Sequence, residues 1–155
     1  MEWNKVENKV KVIKAEEIHI GKLATMAVDL WPEEKFEVHR QFILSKLDLE
    51  DHVYFLATVE DKIAGFIYMS IRRDYVEGAS SSPVGYVEGI YVKPAYRHKG
   101  IGRLLVTKGE EWAKSKGCRE IASDILYHNT DSYNFHSKVG FREANRLICF
   151  IKDID

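Results

Sequence analysis

The chain has 155 residues, of which 45% are apolar, and its formal net charge is −1 at pH 7. This length favours one domain over residues 1–155, and the near-zero charge provides no general attraction to nucleic acid or to an anionic membrane. Cys118 and Cys149 stand far apart, and no apolar run approaches the ~20 residues of a membrane span, so we expect a cytoplasmic protein without a structural disulfide.

The first half of the chain predicts two helices between a short strand and a hairpin. Val10–Ile13 is the short strand, and apolar residues at helical spacing predict helices over residues 20–31 and 36–47. Two runs rich in β-formers, His52–Val59 and Lys62–Ile71, follow as a hairpin.

The second half alternates strands with single helices, which predicts an α/β sheet with parallel pairs. The predicted elements are a strand at Pro83–Val92, a long helix from Ile101 to Gly117, a strand at Glu120–Ser123, a helix at Asn129–Val139 and a last strand at Arg146–Ile151.

The junction between the fourth strand and the next helix is the most informative stretch. Three cations surround its loop, namely Arg97, Lys99 and Arg103. Two glycines, Gly100 and Gly102, let the backbone approach a ligand closely. The loop runs into a helix N-terminus, where unpaired N–H groups and the helix dipole favour an anion. This arrangement predicts a pyrophosphate cradle, although a G-x-G spacing by itself also occurs in loops by chance.

The string R-x-x-G-x-G between a strand and an amphipathic helix resembles the acetyl-CoA pyrophosphate loop of the GNAT N-acetyltransferases. In that family the loop lies between the fourth strand and the third helix, as it does here. The resemblance implies an α/β GNAT fold, with a mixed, mostly antiparallel sheet, a parallel central pair and flanking helices. It implies acetyl-CoA as co-substrate and a possible homodimer. The cofactor-binding residues would be Ile90, Tyr91, Val92, Arg97, His98, Lys99, Gly100, Ile101, Gly102, Arg103 and Asn129.

Some of these positions also have purely structural interpretations. Ile90–Val92 is equally expected as a core strand, and Asn129 is equally expected as a helix N-cap. Many GNAT enzymes place a tyrosine, the general acid for the leaving thiolate, where this chain has His136. Histidine can serve as an acid near pH 7, but a helix-surface residue without a catalytic role is the favoured interpretation. Tyr133 is a less suitable substitute because it is off the usual spacing.

A narrower resemblance rests on longer strings. Leu30-Trp31-Pro32, the segment from Ile71 to Gly78, Val87-Glu88-Gly89-Ile90 and the segment from Gly117 to Asp124 look like aminoglycoside 6′-N-acetyltransferases. The match runs from about Leu30 to Phe150, most of the chain. It transfers substrate contacts to Trp31, Tyr75, Glu88 and Asp124, and with less support to Glu34 and Asn145.

The chemistry of such a substrate fits these residues. An aminoglycoside is a polycation, so its site should contain carboxylates and aromatic side chains. Glu88 lies in an otherwise apolar strand, and Asp124 follows a strand end, where ligands gather in α/β sheets. Alternatively, Glu88 pairs with an arginine, Asp124 opens a polar loop, Tyr75 lies at a solvated tip and Trp31 packs in the core.

The mechanism that follows is a direct attack with Glu88 and Asp124 as catalytic residues. One carboxylate takes a proton from the 6′ ammonium through ordered water, and the neutral amine attacks the thioester. The six histidines form no ligand-spaced cluster, so we expect no metal. Two alternatives stay open: a GNAT enzyme for another amine, such as a polyamine or a peptide N-terminus, and a non-catalytic acyl-CoA sensor.

Overall fold

The computed structural model describes residues 9–155, in which five strands and four α-helices form one sheet with helices on both faces. In chain order the elements are β1 (Val10–Lys14), α1 (Ile20–Leu30), α2 (Phe36–Lys46), β2 (His52–Val59), β3 (Lys62–Arg72), β4 (Val84–Val92), α3 (Ile101–Ser115), β5 (Ile121–Ser123) and α4 (Thr130–Lys138). None of the helices in residues 9–155 is long and apolar enough to cross a membrane.

The sheet has the strand order β1-β2-β3-β4-β5. The first four strands are antiparallel to their neighbours, and β4 and β5 are parallel, with Gly85 opposite Ile121. This mixed, mostly antiparallel sheet with one parallel pair confirms the predicted fold class. Within the described chain the parallel pair lies at the end of the sheet, because β5 is its last strand.

Two apolar layers cover the two faces of the sheet. Helices α1 and α2 pack on one face, where Leu23 and Phe66 are buried. Helix α3 packs on the other face, where Leu105 and Ile67 are buried. Neighbouring residues of a strand point to opposite faces, so Phe66 and Ile67 enter different layers. Since both layers are apolar, β2 and β3 appear in the sequence as nearly continuous apolar runs.

Strand β4 carries a bulge at Glu88. In the register with β3, Tyr68 lies opposite Gly89 and Met69 lies opposite Val87, so Glu88 has no partner of its own. An extra residue of this kind bends its strand and interrupts the ladder. The parallel pairing with β5 also ends at Val87. The two strands therefore separate where Glu88 lies.

The predicted last strand, Arg146–Ile151, is not formed within the described chain. Residues 141–155 lie outside every helix and strand. The side chains of Ile148 and Phe150 are 82% and 91% exposed. The physical reason is that a strand needs a neighbour to pair with, and none of the strands in residues 9–155 lies beside this segment.

Candidate active site

The loop between β4 and α3 has the geometry of an anion-binding turn. His98 and Gly100 adopt positive φ angles of 61° and 79°, a region that favours glycine and is uncommon for other residues. Gly100 is the N-cap of α3, and no side chain caps this helix. The N–H groups of its first turn therefore keep their capacity to bind an anion.

The three cations predicted around this loop bind neutral backbone carbonyls. Arg97 Nε donates to the carbonyl of Val92 over 2.7 Å, and Arg103 Nη2 donates to the carbonyl of Lys138 over 2.8 Å. Lys99 Nζ donates over 3.3 Å to a carbonyl of the short 3₁₀ turn that precedes the loop. Neutral acceptors do not cancel charge, so the loop retains three positive charges for an anionic ligand.

The second glycine of the loop has a packing role that the G-x-G spacing did not indicate. A Cβ atom at Gly102 would lie 2.7 Å from a ring carbon of Phe135 in α4. A contact this short forces a neighbour to move, so glycine lets α3 and α4 pack closely. Of the two glycines, Gly100 is explained by its backbone conformation and Gly102 by this helix contact.

The segment Ile90–Val92 of β4 pairs on one side only within the described chain. Ile90 and Val92 lie opposite Ile67 and Gly65 of β3, whereas the pairing with β5 stops at Val87. The side chain of Tyr91 is buried in the layer under α1 and α2. The structure thus combines a packed strand with a backbone edge that faces the opening between β4 and β5.

Glu88 lies at this opening and is bound by two residues of β3. Its Oε1 accepts a hydrogen bond of 2.6 Å from Ser70 Oγ and bonds of 3.0 and 2.9 Å from Nε and Nη2 of Arg72. The guanidinium carbon of Arg72 lies 3.4 Å from the centre of the Tyr86 ring. Glu88 is therefore paired with an arginine, as the alternative to a substrate contact predicted. The pair lies at the opening between the strands rather than inside the core.

Asp124 joins the same cluster through Tyr86. It directly follows β5, and its Oδ2 accepts a hydrogen bond from the Tyr86 hydroxyl. Burial and then this hydrogen bond raise the pKa of the Tyr86 hydroxyl, so it stays a neutral donor well into alkaline pH. Tyr86 thus links the two carboxylates: its hydroxyl binds Asp124, and its ring packs on the Arg72 guanidinium that binds Glu88. Among residues 9–155, no three His, Cys, Asp or Glu side chains come together as metal ligands.

Trp31 borders the cluster because β4 has a glycine beside Glu88. A Cβ atom at Gly89 would lie 2.3 Å from Cη2 of Trp31, so the indole lies directly on the strand backbone. The ring also stacks on His39, whose Nε2 lies 3.0 Å from the carbonyl oxygen of Trp31. Trp31 is half-buried, so it packs on the core and also borders the opening.

Tyr75 and Asn145 both bind a third residue, Glu77, rather than the Glu88 cluster. Both donate to the carboxylate of Glu77, Tyr75 over 2.6 Å and Asn145 over 2.7 Å. Tyr75 is 84% exposed, in the loop between β3 and β4. Glu34 is also exposed and lies in the turn after Trp31. These three predicted contacts thus lie on the surface, apart from the two carboxylates.

The two residues of α4 singled out in the sequence are both engaged. The side chain of Asn129 accepts from the backbone N–H of Ser132, so it is an N-cap, and its amide nitrogen is not used by the cap. His136 Nδ1 lies 2.7 Å from the carbonyl oxygen of Ser132, and Nε2 lies 2.8 Å from Ser123 Oγ. A carbonyl only accepts, so Nδ1 carries the proton of the neutral ring. His136 is half-buried and fixed at both nitrogens, unlike the surface residue favoured from the sequence.

Sequence reasoning missed Ser70, Arg72 and Tyr86, which complete the cluster around Glu88. Their signal in the sequence is a two-residue spacing of polar groups near the ends of two apolar strands, because side chains two apart share one face. Ser70 lies opposite Tyr86 in the register of β3 and β4. That pairing was needed to bring the four groups together.

Comparisons with known proteins agree with this geometry. A model of the acetyltransferase (GNAT) family matches residues 20–141. An aminoglycoside N(6′)-acetyltransferase type 1 of Salmonella typhimurium is 36% identical over 134 residues, covering 86% of this chain and 92% of that protein. One from Acinetobacter baumannii is 38% identical over 126 residues, covering 81% of this chain and 86% of that protein.

Solved structures give the same result. The structure of AAC(6′)-Iy in complex with the bisubstrate analogue CoA-S-monomethyl-acetylneamine has a TM-score of 0.89 and 33% identity, and the match covers 94% of this chain and 99% of that chain. The aminoglycoside 6′-N-acetyltransferase AAC(6′)-Ih from Acinetobacter baumannii has a TM-score of 0.88, with the same identity and coverage. The chain belongs to the acetyltransferase (GNAT) family.

Proposed function

We propose that the protein transfers the acetyl group of acetyl-CoA to the 6′ amine of aminoglycosides, which gives resistance to these antibiotics. The observation that carries this proposal is the pair of carboxylates, Glu88 and Asp124, linked through Arg72 and Tyr86 at the point where β4 and β5 separate. Two carboxylates and an aromatic ring suit a polycationic acceptor, and the anion-binding loop follows on the same strand.

Acetyl-CoA would bind along β4 and the loop that follows it. The pyrophosphate would contact the backbone from His98 to Arg103 and the open N-terminus of α3, with Arg97 and Lys99 adding charge. The backbone edge of Ile90–Val92 would pair with the pantetheine arm. Asn129 would contribute the amide nitrogen that its cap does not use.

The acceptor would bind on the other side of the opening. The 6′ ammonium lies between Glu88 and Asp124, while Trp31 forms one wall through its position on Gly89. Tyr75 and Asn145 reach the remaining sugar rings from the exposed loop and the C-terminal segment, and Glu34 meets further ammonium groups. Charge at three carboxylates matches a substrate that carries several positive charges.

The reaction proceeds by direct attack. One of the two carboxylates removes a proton from the 6′ ammonium through water, which contributes about 10²–10⁴-fold to the rate. The neutral amine attacks the thioester carbon while a backbone N–H of Ile90–Val92 binds the carbonyl oxygen. The C–N bond forms, the C–S bond breaks and coenzyme A leaves as a thiolate, while the proton that the attacking nitrogen must lose passes through water to that thiolate. Most of the remaining acceleration comes from holding both reactants in place.

His136 does not protonate that thiolate directly in its neutral form. The bond to the Ser132 carbonyl places the ring proton on Nδ1, so Nε2 accepts from Ser123. We therefore assign His136 to holding Ser123 and the start of the β5–α4 connection in place.

The acceptor is tested by thiol release from acetyl-CoA with a panel of aminoglycosides, polyamines and peptides. Turnover confined to aminoglycosides with a 6′ amine is expected. A matched drug with a 6′ hydroxyl should bind and compete but give no acetylated product by mass spectrometry, because a neutral hydroxyl is a far weaker nucleophile than a free amine and a carboxylate is too weak a base to ionise it. Acetylation of both drugs would reject the 6′ assignment. Turnover of polyamines or peptides alone would favour the first alternative, and binding without turnover would favour an acyl-CoA sensor.

We also propose that the protein is a cytoplasmic homodimer. The uncovered apolar segment Arg146–Ile151 and the outer edge of β5 occur in every copy, so two copies offer each other a strand and an edge. Cys118 and Cys149 are free thiols, which suits a reducing compartment. Light scattering should give twice the mass of the chain, and Phe150→Lys should shift the protein towards monomer. A monomeric parent protein would contradict the dimer.

A further inference from the structure

The groups around Glu88 form a complete cation-binding site. A carboxylate and the face of an aromatic ring are the elements with which proteins bind ammonium and guanidinium groups. Here Glu88 supplies the carboxylate and Tyr86 supplies the ring. The site is occupied by the protein's own Arg72, whose guanidinium carbon lies 3.4 Å from the centre of the Tyr86 ring.

The oxygens of the Glu88 carboxylate are used unequally. Oε1 accepts from Ser70 Oγ and from Nε and Nη2 of Arg72, whereas Oε2 accepts only from Nη2, over 2.9 Å. Each oxygen has about two lone-pair positions, so Oε1 has no acceptor capacity left. An ammonium group that binds Oε1 must therefore replace one of its existing donors.

Arg72 is the donor that can be replaced. It is the last residue of β3, and its side chain is 42% exposed, against 24% for Glu88. Ser70, in contrast, is buried between two strands, opposite Tyr86. An ion pair with this exposure contributes little free energy, so the exchange of one cation for another is not costly.

We propose that Arg72 occupies the cation site of the acceptor pocket in the free protein and leaves Glu88 when an ammonium group of the acceptor binds. Arg72 is then a residue that sets acceptor affinity by competing with the substrate. This inference rests on the proposed function, because it requires a cationic acceptor at Glu88.

The opposite role for Arg72 gives a different result. If the guanidinium stayed on Glu88 and only positioned it, loss of Arg72 would leave the carboxylate less ordered and lower kcat. If Arg72 competes with the acceptor, its loss lowers KM and the dissociation constant of the acceptor. The direction of the change in affinity therefore separates the two roles.

The experiment compares Arg72→Gln with the parent protein by calorimetric binding of a 6′-amino aminoglycoside and by steady-state thiol release. Arg72→Gln is expected to bind the drug about two- to fivefold more tightly, the size of one exposed ion pair. Arg72→Lys, which keeps the charge but makes fewer bonds, should fall between the two. Arg73→Gln is the matched control, because Arg73 binds Asp51 instead, and its affinity should equal that of the parent.

The split between KM and kcat adds a readout that a structural role would not give. Arg72→Gln should lower the acceptor KM and leave kcat unchanged. Equal or weaker drug binding by Arg72→Gln rejects the proposal, as does a fall in kcat without a fall in KM. If Arg72→Gln does not fold, equal or weaker binding by Arg72→Lys rejects it. Absence of drug turnover by the parent protein rejects the proposed function and this inference together, whereas turnover with unimproved affinity rejects only the role of Arg72.

Discussion

The opening between β4 and β5 is lined by backbone groups on one side and by side chains on the other. On the cofactor side, the loop and the first turn of α3 offer backbone N–H groups, and this geometry follows from one continuous stretch, residues 92–103. On the acceptor side, side chains from β3, β4 and the end of β5 form the cluster, and each is bound to another side chain. A backbone site is complete within the chain segment that encodes it, whereas a side-chain site depends on how distant segments pack.

The largest expected effect is the loss of acetyl-CoA binding in Gly100→Asp. Acetyl-CoA should raise the melting temperature of the parent protein, because a ligand that binds the native state stabilises it by mass action. The variant adds a Cβ atom and a negative charge at a residue with a φ of 79°, where the pyrophosphate would lie, so the shift should disappear. Thermal unfolding with and without acetyl-CoA measures it.

The control for that experiment is Gly117→Asp. Gly117 has a φ of 87° and nothing within 4 Å of the position of a Cβ atom, so the strain is similar but lies at the other end of α3. This control should keep the acetyl-CoA shift of the parent. A folded Gly100→Asp protein with an unchanged shift would show that the loop is not the cofactor site.

Substitutions on the acceptor side should lower activity without changing the binding of acetyl-CoA. Glu88→Gln and Asp124→Asn keep shape and remove charge, and each should lower kcat/KM for an aminoglycoside by at least about 10-fold, or about 1.4 kcal/mol. The acetyl-CoA shift should stay the same in both. Glu111→Gln, which removes an exposed carboxylate on α3, is the control. Parent rates in both variants would leave these carboxylates with a structural role only.

Gly89→Ala tests the contact between Trp31 and the backbone of β4, next to Glu88. Its Cβ atom would lie 2.3 Å from Trp31, so we expect a loss of about 1–3 kcal/mol in the free energy of unfolding from overpacking. The acceptor KM should rise as the indole moves, with a smaller effect on acetyl-CoA. Gly21→Ala, in α1 with nothing within 4 Å, should instead stabilise the protein by up to about 1 kcal/mol. Denaturant unfolding measures both, and equal stabilities would mean that Trp31 adapts freely.

The smallest expected effect concerns His52, on the acceptor side of the sheet. Burial and the nearby Lys46 lower the pKa of His52 below its ordinary value of 6.5, while its Nδ1 lies 2.8 Å from the Tyr68 hydroxyl oxygen. The unfolded chain therefore takes up a proton at His52 at a higher pH than the folded protein does. As a result, the free energy of unfolding falls as the pH falls through about 6.5 towards the lower pKa of the folded protein. His52→Gln should lose less stability than the parent between about pH 8 and about pH 5. An identical loss in both proteins would contradict this assignment.

The sequence supported the backbone features better than the side-chain contacts. The loop at residues 97–103 and the strand before it were located because glycines, cations and an apolar run follow one another along the chain. Glu88 and Asp124 were also named, yet Arg72 was not, because its place beside Glu88 depends on the register of β3 against β4 and on the bulge. The only sequence signal for the bulge is Gly89, and a glycine inside a strand marks either a bulge or a close packing contact.

Two features differ from the sequence predictions for the same reason. The segment Arg146–Ile151 has the composition of a strand, but a strand also needs a partner, and none is present within the described chain. His136 was favoured as a surface residue because helical spacing does not reveal that Ser123 lies across from it. In both cases the missing information was the identity of a neighbour distant in sequence. The prediction of one domain over residues 1–155 stays a prediction, since residues 1–8 lie outside the described chain.

The contact between Trp31 and Gly89 also affects how such a protein can diversify. In the proposed acceptor pocket, a methyl group at Gly89 would collide with Trp31, so changes at this position carry a cost in stability. Tyr75, in contrast, is 84% exposed, and its hydroxyl binds only the surface carboxylate of Glu77. New drug preferences should therefore accumulate in the loop around Tyr75, while the tryptophan wall stays the same from one descendant to the next.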